Sequence, residues 1–182
     1  MNFPNTITLF RILLTPFFFT ELVSYRTGAE HHRWIALAIL MTASLTDALD
    51  GFLARVTKNR TALGRFLDPL ADKLLLVSGF LGLLFVSALP FRPPLWIIVT
   101  IVFRDLVIIV GLILIFLISG TVEVRPNFLG KATTAFQMIT LIAILLITPA
   151  AVFLWYVTAG LTILSCFAYI FRDLRKLKEN AS

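Results

Sequence analysis

Long apolar runs separated by short polar breaks occupy the whole chain. The runs cover 5–24, 33–57, 61–89, 94–118, 128–147 and 150–171. The breaks fall at Arg26-Thr27-Gly28, Lys58-Asn59-Arg60, Pro90 with Pro93-Pro94, Gly120 to Pro126, and Thr148-Pro149, where glycine, proline and clustered charge interrupt a helical pattern. Crossing bilayer hydrocarbon takes about 20 residues of helix. The pattern therefore predicts six membrane-length helices joined by short connections. Charged residues inside the runs are few: Arg11, Glu21, Arg33, Asp47, Asp50, Arg55, Arg65, Asp68, Asp72, Lys73, the pair Arg104-Asp105, and Lys131.

Composition agrees with the pattern. The 182 residues are 59% hydrophobic and 14% charged, with a mean hydropathy of +0.94. Those values indicate a polytopic membrane protein, with residues 1–182 forming a single membrane domain and no separate soluble one. The net charge of +6 lies largely in loops and tail, where topology accounts for it, so nucleic acid is not an expected partner. With six spans both termini share a side. That side carries ten cations (Arg55, Lys58, Arg60, Arg65, Arg125, Lys131, Arg172, Arg175, Lys176 and Lys178), against Arg26, Arg33 and Arg92 opposite. The excess of positive loop charge places the termini, and the aspartates flanking the 55–65 loop, in the cytoplasm. The basic segment Phe171 to Lys178 reads as a juxtamembrane anchor.

Smaller features add expectations. The start of the chain lacks a basic n-region, and Arg11 interrupts the first apolar run, which argues against a cleaved signal peptide. The single Cys166 excludes an intrachain disulfide framework and reads as a buried, inert thiol. His31 and His32 are expected in a solvated loop. Trp34, Trp96, Trp155 and Tyr156 fall near span ends, as interfacial aromatics do. Gly79 and Gly82 offer a face for close helix packing, including packing between protomers. Pro69 removes a backbone donor and is expected to open its helix locally.

The four aspartates carry the chemistry. One carboxylate within hydrocarbon costs about 2.5–3.5 kcal/mol on insertion scales, so four together require a cationic partner. Asp47 and Asp50 are spaced i,i+3 and Asp68 and Asp72 i,i+4, which puts each pair on one helix face. The short turn between them makes the second and third helices antiparallel neighbours whose acids can converge. An all-oxygen cluster of four negative charges suits two hard dications such as Mg²⁺ or Mn²⁺ and leaves Lewis acidity for a phosphate. Gly51 and Gly64 leave room for a ligand beside the acids, and Arg55 can bind a phosphate. A salt-bridged helix pair, with Arg55, Arg65 and Lys73 neutralising the acids, would need neither the glycines nor so many acids. A divalent-cation transporter would share the acids but not the glycine, alanine and arginine positions.

The pattern Asp47-x2-Asp50-Gly51-x2-Ala54-Arg55-x8-Gly64-x3-Asp68-x3-Asp72 resembles the signature of the CDP-alcohol phosphatidyltransferases at every position. Asn2 to Arg11 and Gly130 to Gln137 are similar to segments of the phosphatidylglycerophosphate and cardiolipin synthases of that family. The resemblance implies an all-α fold of six transmembrane helices around a cytoplasm-facing polar cavity, and homodimers in the bilayer. It also implies attack by an alcohol on the β-phosphate of CDP-diacylglycerol, with CMP leaving. Carried over by position, Asp47, Asp50 and Asp68 hold the metals, with Asp72 partly sharing. Asp72 would also act as general base, and Asp50, Gly51, Ala54, Arg55 and Gly64 would form the CDP site. The bacterial inner membrane is the expected location.

Arg11, Arg104 and Lys131 suggest an anionic acceptor. Glycerol 3-phosphate is the first choice, giving phosphatidylglycerophosphate; phosphatidylglycerol, giving cardiolipin, is the alternative. Two positions depart from the glycerol 3-phosphate pattern: Thr133 stands where a second lysine is usual, and Gly111-Leu112 where an arginine is common. Arg104-Asp105, mid-run, reads either as a self-neutralised structural pair or as part of the cavity lining.

Overall fold

The computed structural model describes the backbone of residues 3–57, 62–119 and 128–180 and the side chains of 8–46, 66–114, 116–118 and 128–167. Its elements are six helices: α1 (Phe3–Ser24), α2 (Glu30–Thr57), α3 (Ala62–Gly82), α4 (Leu95–Ser119), α5 (Phe128–Leu145) and α6 (Ala150–Asn180). Among the described residues there is no strand.

The helix packing follows from a few contacts of known register. Thr8 meets Asp68, Arg11 meets Asp72, and the sites of Gly79 and Gly82 meet Phe18 and Leu22. Numbers on α1 and α3 climb together, so these helices run parallel in one sustained contact. On α5 and α6 they run oppositely: Thr133 donates to the Leu161 carbonyl at 3.3 Å, and the Thr140 and Thr158 hydroxyls lie 2.8 Å apart. Thr133, Thr140, Thr158, Thr162 and Ser165 are all fully buried. Small hydroxyl side chains let two backbones approach and satisfy their own polar atoms on helix carbonyls, as membrane helix contacts require.

The core is apolar and continuous, running from Phe18 and Leu22 through Leu75, Leu76 and Phe80 to Ile97, Ile101, Leu141 and Ile144. The outer surface is also apolar. Phe103, Val107, Leu117, Phe153, Leu164 and Phe167 are exposed, and a helix hydrophobic on all sides belongs in a bilayer. Among the described residues, Leu95–Ile118, Phe128–Leu145 and Ala150–Phe167 are long and apolar enough to span a membrane. The first three helices carry more charge: Arg11 is buried on α1, and Asp68, Asp72 and the buried Lys73 lie within the 21 residues of α3. At the end remote from those charges, the buried Arg33 bonds Glu30 at 3.0 Å and the Leu145 carbonyl at 2.7 Å. It thereby satisfies an orphan acceptor at the end of α5. Just beyond, Ile147 adopts a φ of 54°, and the Thr148 amide reaches back to the Ala143 carbonyl at 3.1 Å. This is a left-handed helix stop at which glycine is the usual residue.

Several expectations change. The helix α3 stops at Gly82 instead of 89, finishing in i→i−3 bonds from Leu84 and Phe85; the prolines from 90 onward leave the last apolar residues in turns. It runs unbroken through Pro69, because the lost donor removes one bond and its neighbours hold the path. His31 and His32 belong to the first turn of α2, where His32 Nδ1 lies 2.7 Å from Glu21 Oε2 of α1. Cys166 is exposed on α6, since a lipid-facing surface gives an apolar residue no reason to turn inward. Trp34, Trp96 and Tyr156 are half exposed near the starts of α2, α4 and α6, as interfacial residues should be, whereas Trp155 is buried.

Gly79 and Gly82 serve packing within the chain. A Cβ at Gly79 would lie 2.7 Å from Leu141 Cδ1 and 3.2 Å from Phe18 Cε1, and one at Gly82 would lie 2.6 Å from Leu22 Cδ2. Those two residues let α1 and α5 close on α3. We expect Gly79→Ala to cost about 1–3 kcal/mol by overpacking. Thermal unfolding in detergent checks this, and an unchanged midpoint would mean that Leu141 moves aside freely.

Candidate active site

On α3, Asp68 and Asp72 sit one turn apart and present their carboxylates to α1. Thr8 donates its hydroxyl to Asp68 Oδ1 at 2.5 Å, and Arg11 Nη1 donates to Asp72 Oδ1 at 2.7 Å. The parallel register brings this about: residues three apart on one helix meet residues four apart on the other, as shallowly crossed helices permit. The Arg11 side chain is 2% exposed and that of Asp72 30%. The cation is thus enclosed, while the carboxylate it holds remains accessible.

Lys73 follows Asp72 and points about 100° further round the helix. Its ammonium meets Asp105 Oδ1 on α4 at 2.8 Å and Thr134 Oγ1 on α5 at 3.1 Å. Arg104 Nη1 reaches the same Asp105 oxygen at 2.7 Å, and Arg104 Nη2 donates to Ser165 on α6 at 2.7 Å. Gln137 donates to Asp105 Oδ2 at 3.0 Å. Asp105 is fully buried. One carboxylate lying between two cations therefore ties α3, α4 and α5, Arg104 extends the tie to α6, and Arg104 Nε is buried with no hydrogen-bond partner among the described residues. Arg104 and Asp105 form both a neutralising pair and part of a wider polar interior.

Some expected site residues fall outside what is described. Asp47, Asp50, Gly51, Ala54 and Arg55 lie on the last turns of α2, and Gly64 on the first turn of α3, beyond the described side chains. Convergence of the two acid pairs is therefore not described. Among the described residues, α1 packs extensively against both α2 and α3. Arg11 stands beside Asp72, Arg104 beside Asp105, and Lys131 is exposed in the first turn of α5. Thr133, where a second lysine might have stood, is buried against α6.

Three residues were missed as site elements. Thr8 was hidden in an apolar run, although its i,i+3 spacing from Arg11 was a signal. Lys73, which the sequence offers only as a counter-charge to the motif acids, pairs with Asp105. Gln137 and Lys73 both serve Asp105, and that charge of opposite sign in the middle of another apolar run was the available clue.

Among the described residues no three carboxylates, histidines or cysteines gather around one point. Asp68 and Asp72 supply two carboxylates on one face, oxygen donors of the kind hard dications prefer, and Asp72 is open enough for a ligand to reach. The two donors described thus fit a divalent metal.

Described residues that are all in helices, turns or loops, an apolar outer surface and three helices long enough to span a bilayer define an integral membrane protein. The CDP-alcohol phosphatidyltransferase family matches residues 1–166, and the chain belongs to that family. It is similar to a CDP-diacylglycerol–glycerol-3-phosphate 3-phosphatidyltransferase of Bacillus subtilis, 35% identical with 98% of each chain covered. It is also 33% identical to the Aquifex aeolicus protein of that name, over 79% of this chain and 75% of the relative. The Haemophilus influenzae protein of the same name is 30% identical, over 93% and 91%.

Proposed function

We propose that this phosphatidyltransferase moves the phosphatidyl group of CDP-diacylglycerol to glycerol 3-phosphate, forming phosphatidylglycerophosphate and CMP. The family match and the named relatives support the substrates; the braced Asp68–Asp72 pair supports the chemistry and is the observation that carries the reading.

In this reading Asp47, Asp50 and Asp68, with Asp72 in part, hold two divalent ions, Mg²⁺ or Mn²⁺. When bound, these would neutralise the diphosphate and the departing CMP. Asp50, Gly51, Ala54, Arg55 and Gly64 form the CDP site. The acceptor oxygen attacks the β-phosphorus, the bond from that phosphorus to the CMP oxygen breaks, and the hydroxyl proton passes to Asp72. The accessibility of Asp72 suits it to receive that proton. Positioning and charge neutralisation carry most of such a reaction, and helices fixed by buried contacts provide positioning. The full arrangement proposed is a single membrane domain over 1–182. It has six spans around a polar cavity open to the cytoplasm, in the bacterial inner membrane and as a homodimer.

Of the three cations suggested for the acceptor, Arg11 and Arg104 are engaged with Asp72 and Asp105. Lys131 is exposed at the start of α5, which supports giving it the incoming phosphate in this reading. We expect Lys131→Ala to raise the KM for glycerol 3-phosphate about tenfold while the KM for CDP-diacylglycerol changes little. An effect on the CDP-lipid alone would assign Lys131 to the other substrate.

The deciding experiment is CMP release by purified protein with CDP-diacylglycerol and Mg²⁺ or Mn²⁺, with glycerol 3-phosphate and phosphatidylglycerol offered separately. Release with glycerol 3-phosphate is expected. Release only with phosphatidylglycerol would make the protein a cardiolipin synthase. Metal flux without CDP-lipid turnover would point to a transporter.

A further inference from the structure

We propose that Thr8 and Arg11 are positioning residues: α1 orients the Asp68 and Asp72 carboxylates for metal binding and proton acceptance, and Arg11 serves Asp72 instead of the acceptor phosphate. The inference rests on the metal and base roles given to these aspartates above.

Three observations carry it. The first is geometric. Two α1 donors meet two α3 carboxylates in one register, at 2.5 Å and 2.7 Å. A carboxylate on a helix can rotate about its side-chain bonds; a donor fixed on a second helix removes that freedom. Ligand carboxylates held this way bind metal in one orientation, and losing such a partner typically costs 10–100-fold in affinity or activity.

The second is burial. Thr8 is fully buried and Arg11 is 1% exposed. A side chain that must receive a soluble phosphate needs an approach from water, whereas a brace is best placed away from it. Asp72, on the other side of the same ion pair, retains that approach.

The third lies farther along the same contact. Gly79 and Gly82 admit Phe18 and Leu22 close to the α3 backbone. This packing sets the separation of α1 and α3, and a shallow parallel contact carries that separation down to Thr8 and Arg11. The glycines, the apolar wedge and the two polar bonds thus form one strut, whose lower end is the acid pair.

The test uses the full-length protein in detergent or nanodiscs, with Mn²⁺ affinity measured directly by electron paramagnetic resonance alongside steady-state kinetics. Thr8→Val keeps the shape and removes the donor. It should weaken Mn²⁺ binding about tenfold and lower kcat, and Thr8→Ser should restore both. Arg11→Gln should lower kcat about 10–100-fold, with Arg11→Lys recovering part, because lysine keeps the charge but not the planar fork. It should not weaken Mn²⁺ binding through charge, since it removes a cation from beside the site. The glycerol 3-phosphate KM should move by less than about twofold in either variant.

A tenfold rise in that KM for Arg11→Gln, at saturating metal and with kcat retained, would make Arg11 an acceptor ligand and overturn its assignment. Thr8→Val matching the wild type in both Mn²⁺ affinity and kcat would overturn that of Thr8. Should Arg11→Gln fail to fold, the Thr8 pair still decides whether α1 braces the acids. Wild-type protein that binds Mn²⁺ but ignores glycerol 3-phosphate would fail the acceptor reading alone, leaving the Mn²⁺ comparison decisive here. Wild-type protein that binds no Mn²⁺ would sink the metal role and this inference together.

Discussion

Asp72→Asn is expected to lower CMP release by about 10²–10⁴-fold, the usual contribution of a positioned general base. The substitution is nearly isosteric, and the amide oxygen can still accept from Arg11, so the helix contact should survive. What disappears is the capacity to take the acceptor proton. Binding of CDP-diacylglycerol should persist, because the CDP site proposed on α2 and at the start of α3 is untouched. The measurement is single-turnover CMP release beside equilibrium binding of the CDP-lipid. Near-normal turnover would remove the base role from Asp72. Loss of both binding and turnover would instead make it chiefly a metal ligand.

Asp105→Leu should produce the largest loss of stability. Asp105 is fully buried and accepts from Lys73, Arg104 and Gln137. Without it two cations face each other in the interior, and removing one partner of a buried pair costs about 3–5 kcal/mol. The expected result is a steep drop in the thermal midpoint in detergent. The double variant Lys73→Met with Asp105→Leu should recover part of it, since one of the two stranded charges is gone and the pair is coupled. A double variant no more stable than Asp105→Leu would show that the Lys73 contact contributes little and that the loss comes from Arg104 or from packing.

Helix number and approximate position were legible because a membrane helix satisfies its own backbone, leaving a long apolar run as its signature. Boundaries were less so. The stretch after Gly82 is as apolar as the helix before it, and only the path toward Pro90 shows that it turns. Cys166 misled for a related reason: in a bilayer, apolar character does not separate inside from outside, and the exposed face of α6 is as hydrophobic as its buried one. The aspartates were conspicuous because charge is rare here. Their support from Thr8 was not, since it is an ordinary residue in an apolar run, and neither was the turn of Lys73 away from them to Asp105, which depends only on its angle around α3.

The sequence by itself determined that this is a helical membrane protein, and the spacing of Asp47, Asp50, Asp68 and Asp72 pointed to the carboxylates of α2 and α3 for the chemistry proposed above. Those are local properties, set by hydropathy over one helix length and by residues within a few turns of one another. Tertiary structure alone decided which charge answers which. Arg11 could have served either a substrate or an acid, and Lys73 either Asp72 or another helix. The parallel register of α1 on α3, closed by Gly79 and Gly82, gives Arg11 to Asp72. The turn of α3 between neighbouring residues sends Lys73 to Asp105. Pairing across helices depends on rotation and register, and neither is written in any one helix.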